Sequence, residues 1–175
     1  MTKQPPAPEE IEKWDRWFAI ESNNIAWTLA EDPGRTPAQR EEMLNAAHAS
    51  AFHWSRIGSD LNKARADMLL GLVHAFLGNG PLAMTHARRS FEYISAHESP
   101  DWEFALAHAV LANAAHAAGE TALYVTQYAL ARSSGDAIAD SGDKEIFERI
   151  FVQLPAPQSG AAGCDEKWRQ EIKRD

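Results

Sequence analysis

Apolar residues recur along this chain at intervals of three and four, the spacing that lines one face of an α-helix. No run alternates apolar and polar for more than a few positions, as a half-buried strand requires. Ile11, Trp14, Phe18, Ile25 and Leu29 form the first stripe, so a helix is expected from near Glu9 to about Ala30, ended by Asp32-Pro33-Gly34. Thr36, Pro37 and Gln39 then spell a capping box with proline in the first turn. The second helix they open reaches Ile57 and stops at Gly58. Its main stripe is Leu44, Ala47, Ala51 and Trp54, but Ala46, Ala49, Phe52 and Ile57 make other faces apolar too. That pattern predicts a central helix covered on two sides.

A third helix, capped by Ser59 or Asp60, carries Leu61, Ala64, Met68, Leu72 and Phe76 to a stop at Gly78. Asn79-Gly80-Pro81 turns the chain into a fourth, with Leu82 or Ala83, Ala87, Phe91 and Ile94 on its apolar side. Ser99-Pro100 repeats the cap-then-proline signal and opens a fifth helix to Gly119, and Glu120-Thr121 starts a sixth that runs at least to Arg132. A short seventh begins near Ser141 or Asp143, carries Ile146, Phe147, Ile150 and Phe151, and ends at Leu154-Pro155. Short turns make consecutive helices antiparallel neighbours. The expectation is one all-α domain over residues 9–154, at least two-thirds helical and without a sheet, between a disordered segment at 1–8 and a flexible tail at 155–175.

Charge and composition narrow the function classes. A formal charge of -8 and a sequence pI near 5.3 leave no basic face to track a phosphate backbone, so nucleic acid and anionic membranes are poor partners. The single cysteine, Cys164, has no second thiol to pair with, which favours a reducing compartment. The first ten residues lack the basic start and apolar run of a signal peptide. Residues 104–119 hold no Asp, Glu, Lys or Arg, but they are Ala-rich, contain His108, Asn113 and His116, and fall short of the ~20 apolar residues a bilayer needs. A buried helix in a cytoplasmic protein is the reading.

A shift of 41 residues lays Gly78 on Gly119 and Leu82 on Leu123. Within one unit, Leu70-Gly71, Gly78, Ala83 and Ala87 followed by Phe91 resemble a tetratricopeptide repeat, whose small residues let two antiparallel helices pack closely. The departures are Ser90, Tyr124, Tyr128 and a spacing above the family's usual ~34 residues. The resemblance covers residues 64–94 well and 105–133 poorly. It implies a short right-handed solenoid of stacked helix hairpins. The first helix of each pair would line a concave groove, with Arg65, Leu72, Phe76, Asn113 and His116 at its exposed positions. Such grooves bind peptide segments or partner helices. The chain also resembles a bacterial group of small helical proteins marked by Asn23-Asn24, His53-Trp54 and Arg65, a likeness that implies no activity.

Several constellations carry candidate chemistry. Asn23-Asn24 interrupts the first helix, where asparagine is a poor helix former, with Trp17 and Trp27 nearby. It is either a polar anchor in an aromatic-walled groove or an amide bonded to a neighbouring helix or solvent. Arg65 is suited to a bidentate carboxylate, from a ligand or, as the ordinary reading, from another helix. Trp14, Trp17, Trp27 and Trp54 are expected to pack in or beside the core. Six of the seven histidines, His48, His53, His74, His86, His108 and His116, fall in expected helices, but no Glu-x-x-His, His-Glu-x-x-His or Cys/His spacing accompanies them. No metal ligands are assigned, and no cofactor is expected. Neither a Gly-x-Ser-x-Gly elbow nor a phosphate loop is present, and no catalytic residue is assigned.

The favoured function is therefore an adaptor or scaffold that binds a protein or peptide, with Asn24, Trp27, His53, Arg65, Asn113 and His116 as its candidate binding residues. The rival is a small helical enzyme or ligand-binding protein with a His/Asn/Arg pocket, with or without a metal in its chemistry. Convergence of those side chains in one closed pocket favours the rival, and a spread along an open groove favours the adaptor.

Overall fold

The computed structural model describes residues 6–157, which fold into seven helices that account for 82% of them, with no strand. They are α1 (Pro8–Glu31), α2 (Pro37–Ile57), α3 (Asp60–Phe76), α4 (Gly80–Ala96), α5 (Asp101–Ala118), α6 (Thr121–Asp136) and α7 (Ser141–Phe151). Cys164, Trp168 and the rest of the expected tail beyond Pro157 lie outside the described residues, as do residues 1–5 of the expected N-terminal segment. No described helix is long and apolar enough to cross a membrane.

Local chemistry sets most of the boundaries. Thr36 and Gln39 form a reciprocal capping box at α2, and Ser59 and Asn62 form a second one at α3. Asp140 caps α7 by accepting from the amides of Gly142 and Asp143, both at 2.9 Å. Ser99 does not cap α5. Pro100 itself occupies the cap position, and the Ser99 hydroxyl turns back to the Ile94 carbonyl at 3.4 Å. Gly78 (φ 73°) and Gly119 (φ 76°) end α3 and α5 in the left-handed region. In each turn two amides close onto the helix's last carbonyls: Gly78 to Ala75 and Asn79 to His74, then Gly119 to His116 and Glu120 to Ala115. A Cβ at Gly78 meets nothing within 4 Å among the described residues, so only the backbone opposes one there. Gly78→Ala is expected to cost about 1 kcal/mol in urea unfolding, with an unchanged m-value.

The core runs through α3 and α5. Residues 68–75 of α3 and 105–115 of α5 are buried without interruption, because these two helices pack on each other and on flanking helices. The second helix, expected to be central, is peripheral. Among the described residues it packs on α1 and α3 alone, burying Met43, Ala47 and Ser50 and leaving Phe52 59% exposed. The first helix is rotated from its expected orientation. Its buried line is Asp15, Ala19, Ala26 and Ala30, while Ile11, Trp14, Phe18 and Ile25 remain exposed. The cause is close approach: the Ser50 hydroxyl on α2 donates to the Ala19 carbonyl at 2.9 Å, a separation that admits only small side chains between the helices.

Close approach recurs between α3 and α4. A Cβ built on Gly71 lies 2.9 Å from the backbone nitrogen of Ala87, so the helices touch backbone to backbone there. The same helix starts recur 41 residues apart, Asp60 with Asp101 and Gly80 with Thr121. α7 packs on α5 and also reaches α1. Its Arg149 pairs with Glu31 at 3.0 Å, and the Gln153 side-chain amide donates to the Ala30 carbonyl at 2.9 Å. Arg35 donates to the Leu29 and Ala30 carbonyls at 3.2 and 3.1 Å, so the open end of α1 is satisfied by side chains from outside its own helix.

Candidate functional site

Four helices, α1, α3, α5 and α7, line a half-open cavity of about 350 Å³. Trp27 and Trp102 supply aromatic walls, Met68, Leu106 and Ile146 add aliphatic surface, and Asn23, Glu31, Arg65 and Glu103 are its polar members. The volume is at the lower end for small-molecule sites and suits one or two side chains of a peptide.

Its polar element is an ion pair that joins α3 to α5. Arg65 donates from Nε to Glu103 Oε1 at 2.6 Å and from Nη2 to Oε2 at 3.0 Å, the bidentate fork of guanidinium on carboxylate. Glu103 is 1% exposed, and it lies in the first turn of α5, where the helix dipole favours an anion. The Glu103 carboxylate raises the Arg65 pKa above its ordinary value, overcoming the opposing effect of burial. Nη1 of Arg65 makes no hydrogen bond among the described residues. The second acid, Glu31, is held by Arg149.

Of the six expected binding residues, Trp27 and Arg65 line this cavity and the other four lie elsewhere. Asn24 is exposed on α1 beside Asn23, which does reach the cavity. His53 faces α1: its Nδ1 lies 2.7 Å from Asp15 Oδ1, and its ring stacks on Phe18 at 5.3 Å. Arg56 Nε donates to the other Asp15 oxygen at 2.8 Å, and these two partners, Arg56 foremost, hold the Asp15 carboxyl below its usual range despite burial. His116 is exposed against the Tyr124 ring, 4.9 Å away. Asn113 and Leu72, expected at exposed groove positions, are buried, because α3 and α5 are covered on more sides than one groove-lining face allows. Trp14 and Trp17, expected in or beside the core, are both 52% exposed.

Glu103 and Trp102 were absent from the expected site. A signal for Glu103 existed: it is the last charged residue before the charge-free run at 104–119, and a carboxylate at the head of a buried helix needs a cationic partner.

A second cluster unites three histidines that no spacing connects. His48 on α2 packs edge-on against His74 on α3 at 5.3 Å, and His74 stacks on His86 of α4 at 5.7 Å. Asp67 Oδ1 sits 2.6 Å from His86 Nδ1. No group of His, Cys, Asp or Glu among the described residues is disposed to hold a metal. Burial, and then the neighbouring imidazoles, push the His48 and His74 pKa values below 6.5. As pH falls below 6.5 the unfolded chain therefore takes up these protons before the folded one, and stability declines. The melting temperature is expected to fall between about pH 7 and pH 5, and His74→Leu should flatten that fall. Asp15 acts in a lower window, its contribution being lost only below about pH 4.

Comparison with known proteins found no matching family, no matching curated protein and no matching solved structure.

Proposed function

We propose that this chain is a helical-repeat binding module, similar in design to tetratricopeptide proteins, that takes an apolar side chain of a protein or peptide segment into the cavity between α1, α3, α5 and α7. The observation that carries the reading is which helices line the cavity: the odd-numbered ones alone. In a right-handed stack of hairpins the first helix of each pair lines the concave side. The contacts of α1 with α3, α3 with α5 and α5 with α7, the backbone approach at Gly71 and Ala87, and the 41-residue recurrence of helix starts all support that arrangement.

The cavity's chemistry fits an anchor residue. Two indole rings and three aliphatic side chains receive apolar surface, and Arg65 Nη1 offers a donor to a backbone carbonyl or carboxylate of the bound segment. The acids in the cavity are neutralised by Arg65 and Arg149, so a buried charge on the anchor has no counterpart there. Dispersal of Asn24, His53, Asn113 and His116 away from the cavity supports binding over catalysis.

Selection from a displayed peptide library tests the proposal. Enriched peptides should share an apolar or aromatic anchor and lose roughly tenfold or more in affinity when Trp27→Ala enlarges the cavity or Ile146→Trp fills it. Leu130→Lys, an exposed change on α6, should leave binding unchanged. Peptides indifferent to both cavity variants would overturn the assignment.

A further inference from the structure

We propose that two copies of this chain associate through the outward face of α1, crossing antiparallel on a two-fold axis at Trp17. The exposed rings there are continuous. Trp17 lies 6.5 Å from Trp14 and 5.0 Å from Phe18, Phe18 stacks on His53, and His53 meets Phe52 on α2 at 5.2 Å. Four aromatic side chains of ~150–250 Å² each, about half of it exposed, present on the order of 400 Å² of apolar surface. Ile11 and Ile25 extend the patch along the same helix. A standard interface covers about 800 Å² per partner, about 65% of it apolar in homodimers, so the patch supplies most of what a stable dimer needs. Outside this face, Phe104 is the one aromatic among the exposed large hydrophobics of the described residues, and the rings it meets, His108 and through it Phe91, are not exposed, so there is no second patch of exposed rings for this face to meet head to tail.

Charge selects the second copy and its orientation. The chain carries a net charge of -8, yet the charged groups set among these rings are paired within the chain: Asp15 with Arg56 and His53, Arg16 with Glu12. Lys13 and Glu21 are exposed and make no ion pair among the described residues. Lys13, Trp17 and Glu21 follow one another at four-residue steps, on one line of the helix surface and about 6 Å apart along its axis. A two-fold axis through Trp17 therefore sets Lys13 of each copy beside Glu21 of the other, forming two ion pairs around a central aromatic contact. A parallel crossing sets like charges against each other and is disfavoured.

Sedimentation of the full chain across the micromolar range tests this. The wild type should show a concentration-dependent monomer–dimer equilibrium, and Trp17→Glu should shift it to monomer. Lys13→Glu and Glu21→Lys should each weaken association roughly tenfold by placing like charges together twice, and the double variant should restore it. All three positions are exposed, and circular dichroism should show unchanged helix content. A wild type that stays monomeric, a dimer indifferent to Trp17→Glu, or a charge swap without rescue overturns the proposal. Dimerisation that appears only after residues 158–175 are removed assigns the face to the chain's own tail and overturns it too. Ile146→Trp should leave dimerisation intact, which keeps this result separate from the peptide-binding test.

Discussion

Replacing Arg65 by methionine is expected to lower the unfolding free energy by about 2–4 kcal/mol, because the change strands a buried carboxylate. Glu103 is 1% exposed and both of its oxygens bond to Arg65. The Arg65 side chain is itself 45% exposed, so water reaches part of the vacated space and keeps the loss below that of a sealed pair. A paired change separates charge from packing: Arg65→Met with Glu103→Leu removes both charges and should recover most of the loss. Urea unfolding of the two single variants and the double variant closes the cycle. If the double variant is as unstable as Arg65→Met, the fork contributes through its packing and not through neutralising Glu103.

An equally large effect is expected where α3 and α4 touch. Ala87 is 1% exposed, and a Cβ on Gly71 would lie 2.9, 3.1 and 3.2 Å from its N, Cα and Cβ atoms. Two of those are backbone atoms, which cannot rotate away as a flexible side chain can. Gly71→Val is expected to cost about 3 kcal/mol and Ala87→Leu about 1–3 kcal/mol, since each drives the helices apart along their shared length. Gly71→Ala should cost less, because alanine recovers about 1 kcal/mol of helix propensity. Ala129→Val, at an exposed site on α6, should stay within about 0.5 kcal/mol of wild type. A neutral Ala87→Leu would remove the close packing on which the stacked-hairpin reading depends.

Helix number and boundaries were legible because their determinants are local. The Thr36-Gln39 capping box needs no neighbour beyond its own turn, and Gly78 ends α3 because a left-handed residue without Cβ strain belongs there. Burial in α5 was legible too, because a run without Asp, Glu, Lys or Arg has no polar face to present to water. A helical pattern underdetermines burial where two faces share its period. The α1 stripe of Ile11, Trp14, Phe18 and Ile25 has the right period for a core face, yet the parallel line of Ala19, Ala26 and Ala30 has it as well. Period alone does not choose between bulky and small residues; the distance to α2 does.

The candidate site was half legible for the same reason. Trp27 and Arg65 stood out by residue type, but their company did not: Glu103 is 38 positions from Arg65, and Ile146 comes from the last helix. The three-histidine contact of His48, His74 and His86 draws on three helices with no common spacing. By itself the sequence determined an all-helical chain, its turns and the helix that must be buried, since caps, breakers and apolar content act over a few residues. The tertiary structure alone decided which face of α1 and α2 is covered, which acid answers Arg65 and which rings remain in water. Those outcomes depend on how closely two helix backbones approach, a quantity set jointly by residues far apart in the chain.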